Sequence, residues 1–218
     1  MQPLELFIRS KEEFIQAKEM VSTVFDLEQR LPQQVFRSDY ANFHFDEFDW
    51  AWSRVERYRD FADPGRLFWD NIKEVSAITK DDFVIIGMCE LGETDAFYRE
   101  LGYYNWLKVP VDIDYDEVLD MLRSGAEVEE RWGDVLYSRG CVAWVGSSRQ
   151  WGIWGEMTEE MCVFGLREDV DAESISPIVK DWLPPELALP DWINLTLDES
   201  VKRRAASFKQ ELIKNYSK

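Results

Sequence analysis

The chain has 218 residues, 45% hydrophobic and 31% charged, with a formal net charge of −18. That is enough apolar material for a full core and too much for a disordered chain, so a single globular domain spanning 1–218 is expected. The charge is uneven: residues 1–195 carry −21 and the remainder +3, an acidic body ending in a basic tail. A field of that sign repels nucleic-acid phosphate and anionic lipid, and steers cationic partners inward.

In chain order, "MQPLELFIRS" has neither the basic start nor the apolar run of a signal peptide, and no window is a membrane span, so a soluble, cytoplasmic protein is expected. Ser10 and Glu13 make a capping box. Phe14, Ala17, Val21, Val24 and Phe25 then share a helical face, which predicts a helix over 11–30 that ends at "LPQQ".

"NFHFDEFDWAW" (42–52) packs aromatic rings and carboxylates around His44, the single histidine. Phe43 and Phe45 alternate about His44 as in a strand, whereas Phe48, Trp52 and Val55 follow helical spacing. A strand turning into a helix is expected, with Asp46, Glu47 and Asp49 in the first helical turn, where the helix dipole favours anions. A catalytic reading would pair His44 with Asp46 or Asp49, but aromatic density more often marks a core.

"RLFWDNIKEVSAI" predicts a helix. "DDFVIIGMCEL" predicts a strand buried on both faces, and "DYDEVLDMLRSG" a helix with Val118, Leu119 and Leu122 inward and Gly125 as its stop. Asp112, Asp114 and Asp116 imitate the start of a calcium loop. Glu117 stands where that loop needs Gly, and Arg123 where it needs a bidentate Glu, so the acids are assigned to the helix N-terminus instead.

The strongest β signal is "GCVAWVGSSRQWGIWGEMTEEMCVFGL". Two polar turns separate three runs rich in Val, Ile, Trp and Phe, predicting an antiparallel meander with strands at 141–145, 151–155 and 161–166. Its tryptophans read as packing residues, with Gly152 and Gly155 leaving room for a large ring on the neighbouring strand. "WLPPELALPDW" reads as an irregular covering segment. Thr196 and Glu199 form a second capping box, and Leu197, Val201, Ala205, Phe208, Leu212 and Tyr216 make one stripe of a closing helix over 197–216.

The fold class expected is therefore α+β: a central antiparallel sheet covered by N- and C-terminal amphipathic helices. Cys89, Cys141 and Cys162 sit among apolar neighbours and read as buried reduced thiols. One histidine and scattered cysteines supply neither a common transition-metal shell nor phosphate-loop, dinucleotide or hydrolase-elbow motifs, so no cofactor and no metal are expected.

The polar loop "GSSRQ", the paired tryptophans of "WGIW" and the acidic turn before "CVFGL" together resemble a strand-turn-strand pattern of bacterial immunity proteins of polymorphic toxin systems. The resemblance covers about 20 of the 218 residues (147–166). It implies an α+β fold, no catalysis, and an acidic face for a basic protein partner. The residues expected to meet that partner are Asp46, Glu47 and Asp49 at the first stretch and Glu156, Glu159 and Glu160 at the second turn, because turns and helix starts are exposed on a rigid scaffold. The alternative is an intracellular carboxylate-dependent glycoside hydrolase or carbohydrate-binding protein, with Trp50, Trp52 or Trp154 stacking on sugar.

Overall fold

Strands β4 (Cys141–Gly146), β5 (Trp151–Glu156) and β6 (Met161–Arg167) form the predicted meander in the computed structural model, which describes residues 3–47, 64–89, 94–123, 140–156, 158–188 and 199–217. Trp144 lies opposite Ile153, and Trp154 opposite Val163. β1 (Tyr40–Glu47) pairs with the outer side of β6, while β2 (Phe83–Met88) and then β3 (Trp106–Pro110) extend the sheet beyond β4. The order is β1-β6-β5-β4-β2-β3, and every neighbouring pair is antiparallel.

Both faces of the sheet are covered, which is why its central strands are apolar throughout rather than alternating with polar residues. Trp151 and Ile153 of β5 point into one core, together with Trp69, Ile72 and Val75 of α2 (Pro64–Thr79) and Val118 of α4 (Tyr115–Arg123). Ile175 of the short α5 (Ala172–Ile175) and Trp182 close the same core. Trp154 points the other way, into a second core with Val21 and Val24 of α1 (Lys11–Val24) and Phe208, Leu212 and Tyr216 of α6 (Glu199–Tyr216). α3 (Thr94–Leu101) serves both, giving Phe97 to the first core and packing Tyr98 on the second. The α+β expectation holds, with helices on both faces of the sheet.

Local signals explain much of this. Ser10 accepts from the Glu13 N–H (3.1 Å), which caps the helix as expected, and its hydroxyl donates to the Glu13 carboxylate (2.9 Å). α1 nevertheless stops at Val24, six residues short of expectation. Phe25 turns extended, bridges to Phe36, and sets its ring 4.7 Å from that of Phe36 and 5.2 Å from that of Trp154. Burial of these rings outweighs the helical spacing that pointed onward.

Three other expectations change. Asp46 and Glu47 lie in β1, opposite Cys162 and Met161, not in a helical turn, and the helix expected to follow lies outside the described residues. α3 and β3 were not foreseen. Gly152 makes room for a different neighbour: a Cβ there would come 2.7 Å from Phe25 Cζ and 2.9 Å from Val24 Cγ1, so the space is taken by the α1 layer rather than by a neighbouring strand. In α4, Val118 is buried, while the side chains of Leu119 and Leu122, like Gly125, lie outside the described residues. The same holds of Thr196 and Leu197, although Ala205, Phe208, Leu212 and Tyr216 form the buried stripe of α6.

Each edge of the sheet is closed by a short pairing. Ile8 donates to Trp106 (2.8 Å) and accepts from Tyr104 (2.7 Å) along the β3 edge, and Phe45 exchanges two 2.7 Å hydrogen bonds with Leu183 along the β1 edge. Covering edges in this way limits sheet-to-sheet association. No described helix is long and apolar enough to cross a membrane.

Candidate functional site

The carboxylates expected at the β5–β6 turn divide sharply. Glu156 ends β5 on the second-core face and is 5% exposed. Its Oε1 accepts from the Leu31 backbone N–H (2.7 Å) and from the Trp154 indole (2.8 Å), and the Arg30 guanidinium lies 5.6 Å from the Trp154 ring centroid. Glu159 is 8% exposed and accepts from Arg204 of α6 at 3.2 Å. Desolvation pushes both carboxyls above the usual carboxylate range, with hydrogen bonds to Trp154 and Leu31 opposing it at Glu156, and Arg204 opposing it at Glu159.

These two groups are therefore internal fasteners, and the assumption that turn residues face solvent fails for them. The turn is roofed by α6 and by the chain around Leu31. Asn215 donates to the Pro32 carbonyl (2.8 Å), and the Tyr216 hydroxyl donates to the Gln33 carbonyl (2.7 Å) while accepting from the Val35 N–H (3.0 Å). Of the remaining expected residues, Glu160 is exposed in a left-handed turn position (φ 50°), and Asp46 is half-buried in β1. Glu47 has a described backbone only, and Asp49 lies outside the described residues. The structure does not bring the six together as one exposed patch.

A third buried carboxylate, Asp81, was not foreseen. It lies between α2 and β2, and its two oxygens accept from Thr79 (2.5 Å), the Ser148 N–H (2.5 Å), Ser147 (3.3 Å) and the Trp151 indole (2.7 Å). It joins the end of α2 to the β4–β5 turn. Only the turn chemistry of "GSSRQ" hinted at it, since nothing in the sequence fixes which distant acid would receive those donors.

The aromatic stretch around β1 is core. Phe43 and Phe45 are buried on the second-core face, with Tyr216 meeting both rings edge-on at 5.0 and 5.3 Å. His44 is half-buried opposite Phe164, and desolvation lowers its pKa, keeping it neutral at neutral pH. Trp154 is fully buried, which removes it as a platform for sugar, and Trp50 and Trp52 lie outside the described residues. All three cysteines are buried. Among the described residues no three His, Cys, Asp or Glu side chains are grouped to hold a metal ion.

Charge is distributed differently over the two helical layers. Asp112 and Asp114 precede α4 directly, and Asp116, Glu117 and Asp120 lie on it, all exposed. The neighbouring α2 cations are already engaged, Arg66 with Asp116 (2.9 Å) and Lys73 with Asp70 (2.7 Å). Asp112, Asp114 and Asp120 have no such partner among the described residues. Across the sheet, α6 bears Lys202, Arg203, Arg204, Lys209 and Lys214 against Glu199 and Glu211. The contrast of acidic body and basic tail in the sequence thus becomes an acidic α4 on the layer opposite the basic α6.

Comparison with protein-family models, with curated proteins and with solved structures returned no match.

Proposed function

We propose that this chain is a non-enzymatic acidic binding protein that captures a basic protein partner, in the manner of an immunity or antitoxin protein. The contact surface assigned to that partner is the acidic segment that leads into and runs along α4, not the β5–β6 turn. The observation that carries the reading is the set of exposed carboxylates of Asp112, Asp114 and Asp120, which have no ion-pair partner among the described residues and lie on the helical layer opposite α6. Exposed carboxylates on one side of a rigid scaffold give a directional field that speeds encounter with a cation and repels anions. The two carboxylates with raised pKa values, by contrast, are occupied in fastening the fold together, as the geometry of Glu156 and Glu159 supports.

Affinity capture from an extract of the native host tests the proposal. The wild-type chain should retain a basic protein at low salt and release it as salt rises, and a variant carrying D112K, D114K and D120K should not retain it. A partner that binds the variant equally, or capture of acidic proteins instead, would overturn the assignment.

A further inference from the structure

We infer that Cys89 and Cys141 form a cross-strand dithiol that closes to an intramolecular disulfide, with a small-molecule disulfide as the oxidant that enters beside Cys89. The inference stands on the sheet register and is independent of the binding function proposed above.

β2 and β4 run antiparallel, with Gly87 opposite Ala143 and Met88 opposite Val142. One step further, the Cys89 N–H donates to the Cys141 carbonyl at 2.8 Å, so the two cysteines face each other directly across the strands. Both side chains belong to the second core, as do Ile85 and Val145 further along the same two strands. Directly opposed residues of an antiparallel pair hold their Cβ atoms about 4.5–5.5 Å apart, and a hydrogen-bonded pair its Cα atoms at about 5.5 Å. A disulfide accepts Cα separations of about 4.4–6.8 Å and Cβ separations of about 3.5–4.5 Å, so closure asks the two strands to draw together by about 1 Å at this pair, with no change of register. Cys162 belongs to the first core, on the other face of the sheet, and cannot take either place.

Each of the two thiols is 6% exposed, and a groove beside Cys89 gives an oxidant an approach to that sulfur. This groove, of about 490 Å³, runs between α1, the chain at Asp26–Glu28 and the start of α3, and Cys89 lines it together with Trp106 and Lys18. Cys89 therefore meets the oxidant first. Its thiolate attacks one sulfur of the small disulfide, expelling one thiolate and leaving a mixed disulfide. Cys141 then attacks the Cys89 sulfur, expelling the second thiolate. The two protons lost by the protein appear on the two released thiols, and the small disulfide is the species reduced.

Burial pushes the Cys89 thiol up to about 12, with Cys141 adding to the rise and Arg30 and Lys18 opposing it. So little thiolate makes closure slow, and protects the pair from casual oxidation without altering where the equilibrium lies.

The test equilibrates the native protein in glutathione and glutathione disulfide of graded ratio. Samples are quenched in acid, unfolded, alkylated and weighed, and the linked peptides are sequenced. The native chain should lose the mass of two hydrogens and then alkylate at Cys162 alone. C162S should close at the same ratio, and C141S should stop at a glutathione adduct on Cys89. A non-redox check uses phenylarsine oxide, which bridges two adjacent sulfurs with loss of water: wild type and C162S should each bind one equivalent, C89S none. A native protein that alkylates at all three cysteines across the series, a bridge involving Cys162, or closure seen only in denaturant would overturn the inference.

Discussion

Trp154 and Glu156 lie two residues apart on β5, and the indole Nε1–H of the first donates to the carboxylate of the second at 2.8 Å. Residues i and i+2 share a face of a strand, so a tryptophan and an acid at that spacing can satisfy each other inside the core. The same oxygen also takes the Leu31 N–H, so one carboxylate joins the sheet to the chain beyond α1. Removing it leaves two buried donors without an acceptor, each costing about 1–3 kcal/mol. Glu156→Ala should therefore lower the midpoint of denaturant unfolding strongly, and Glu156→Gln, which keeps an acceptor oxygen, should lower it less.

The same residue carries a pH signature. Desolvation raises the folded-state pKa of Glu156 above its unfolded value of 4.5, so the folded form holds its proton more tightly. Its contribution to stability is fully present below 4.5 and is lost as pH rises through the raised folded value, because the buried carboxylate must then carry charge. Comparing unfolding free energies of wild type and Glu156→Gln from acid to neutral pH isolates this component. The variant should show a shallower loss over that window, and parallel curves would refute the assignment.

Asp81 should be the less replaceable acid. Four donors converge on its two oxygens, including the Trp151 indole at 2.7 Å and the Ser148 N–H at 2.5 Å. Asp81→Asn turns one acceptor into a donor facing other donors, so the isosteric change should destabilise nearly as much as Asp81→Ala, by about 3–5 kcal/mol. Thermal unfolding of both variants checks this, and a mild Asn variant beside a severe Ala variant would contradict it.

Packing against the meander is tight enough to forbid one methyl group. A Cβ on Gly152 meets Phe25 Cζ at 2.7 Å, and overpacking of this kind costs about 1–3 kcal/mol. Gly152→Ala should lower stability by that amount, and Phe25→Leu in the same chain should recover part of it. A double variant whose losses simply add would show that the two sites do not touch. By the same logic Trp154→Ala, at a fully buried site, should cost about 3–5 kcal/mol as a loss of core.

Much of this architecture is legible in the sequence because local signals agree with the tertiary result. Ser10 and Glu13 start α1, and the β-rich runs of 141–166 fall within a residue of the strands observed. The exceptions have physical causes. β3 is five residues of "WLKVP", too short for a periodicity to emerge, and its identity as a strand comes from pairing with β2. Phe25 leaves the helix because its ring has better contacts in extended backbone. Exposure of Glu156 and Glu159 was inferred from turn chemistry, which fixes backbone shape but is silent about α6 crossing above. Which side of the fold gathers Asp112, Asp114 and Asp120, and which gathers the bases of α6, depends on the order of the layers, and that order is set by long-range pairing.

In the proposed binding mode the carboxylates leading into and along α4 steer and hold a cationic protein. The most direct measurement is the association rate with the purified captured partner as a function of salt, for the wild type and for the D112K, D114K and D120K chain. Exposed charges act mainly on the association rate and are screened over about 10 Å at 0.1 M salt. The wild-type rate should fall at least tenfold between low and moderate salt, and the reversed chain, still folded by circular dichroism, should start from the lower rate and lose the salt dependence. Equal rates for the two chains at low salt, or a wild-type rate indifferent to salt, would contradict the account.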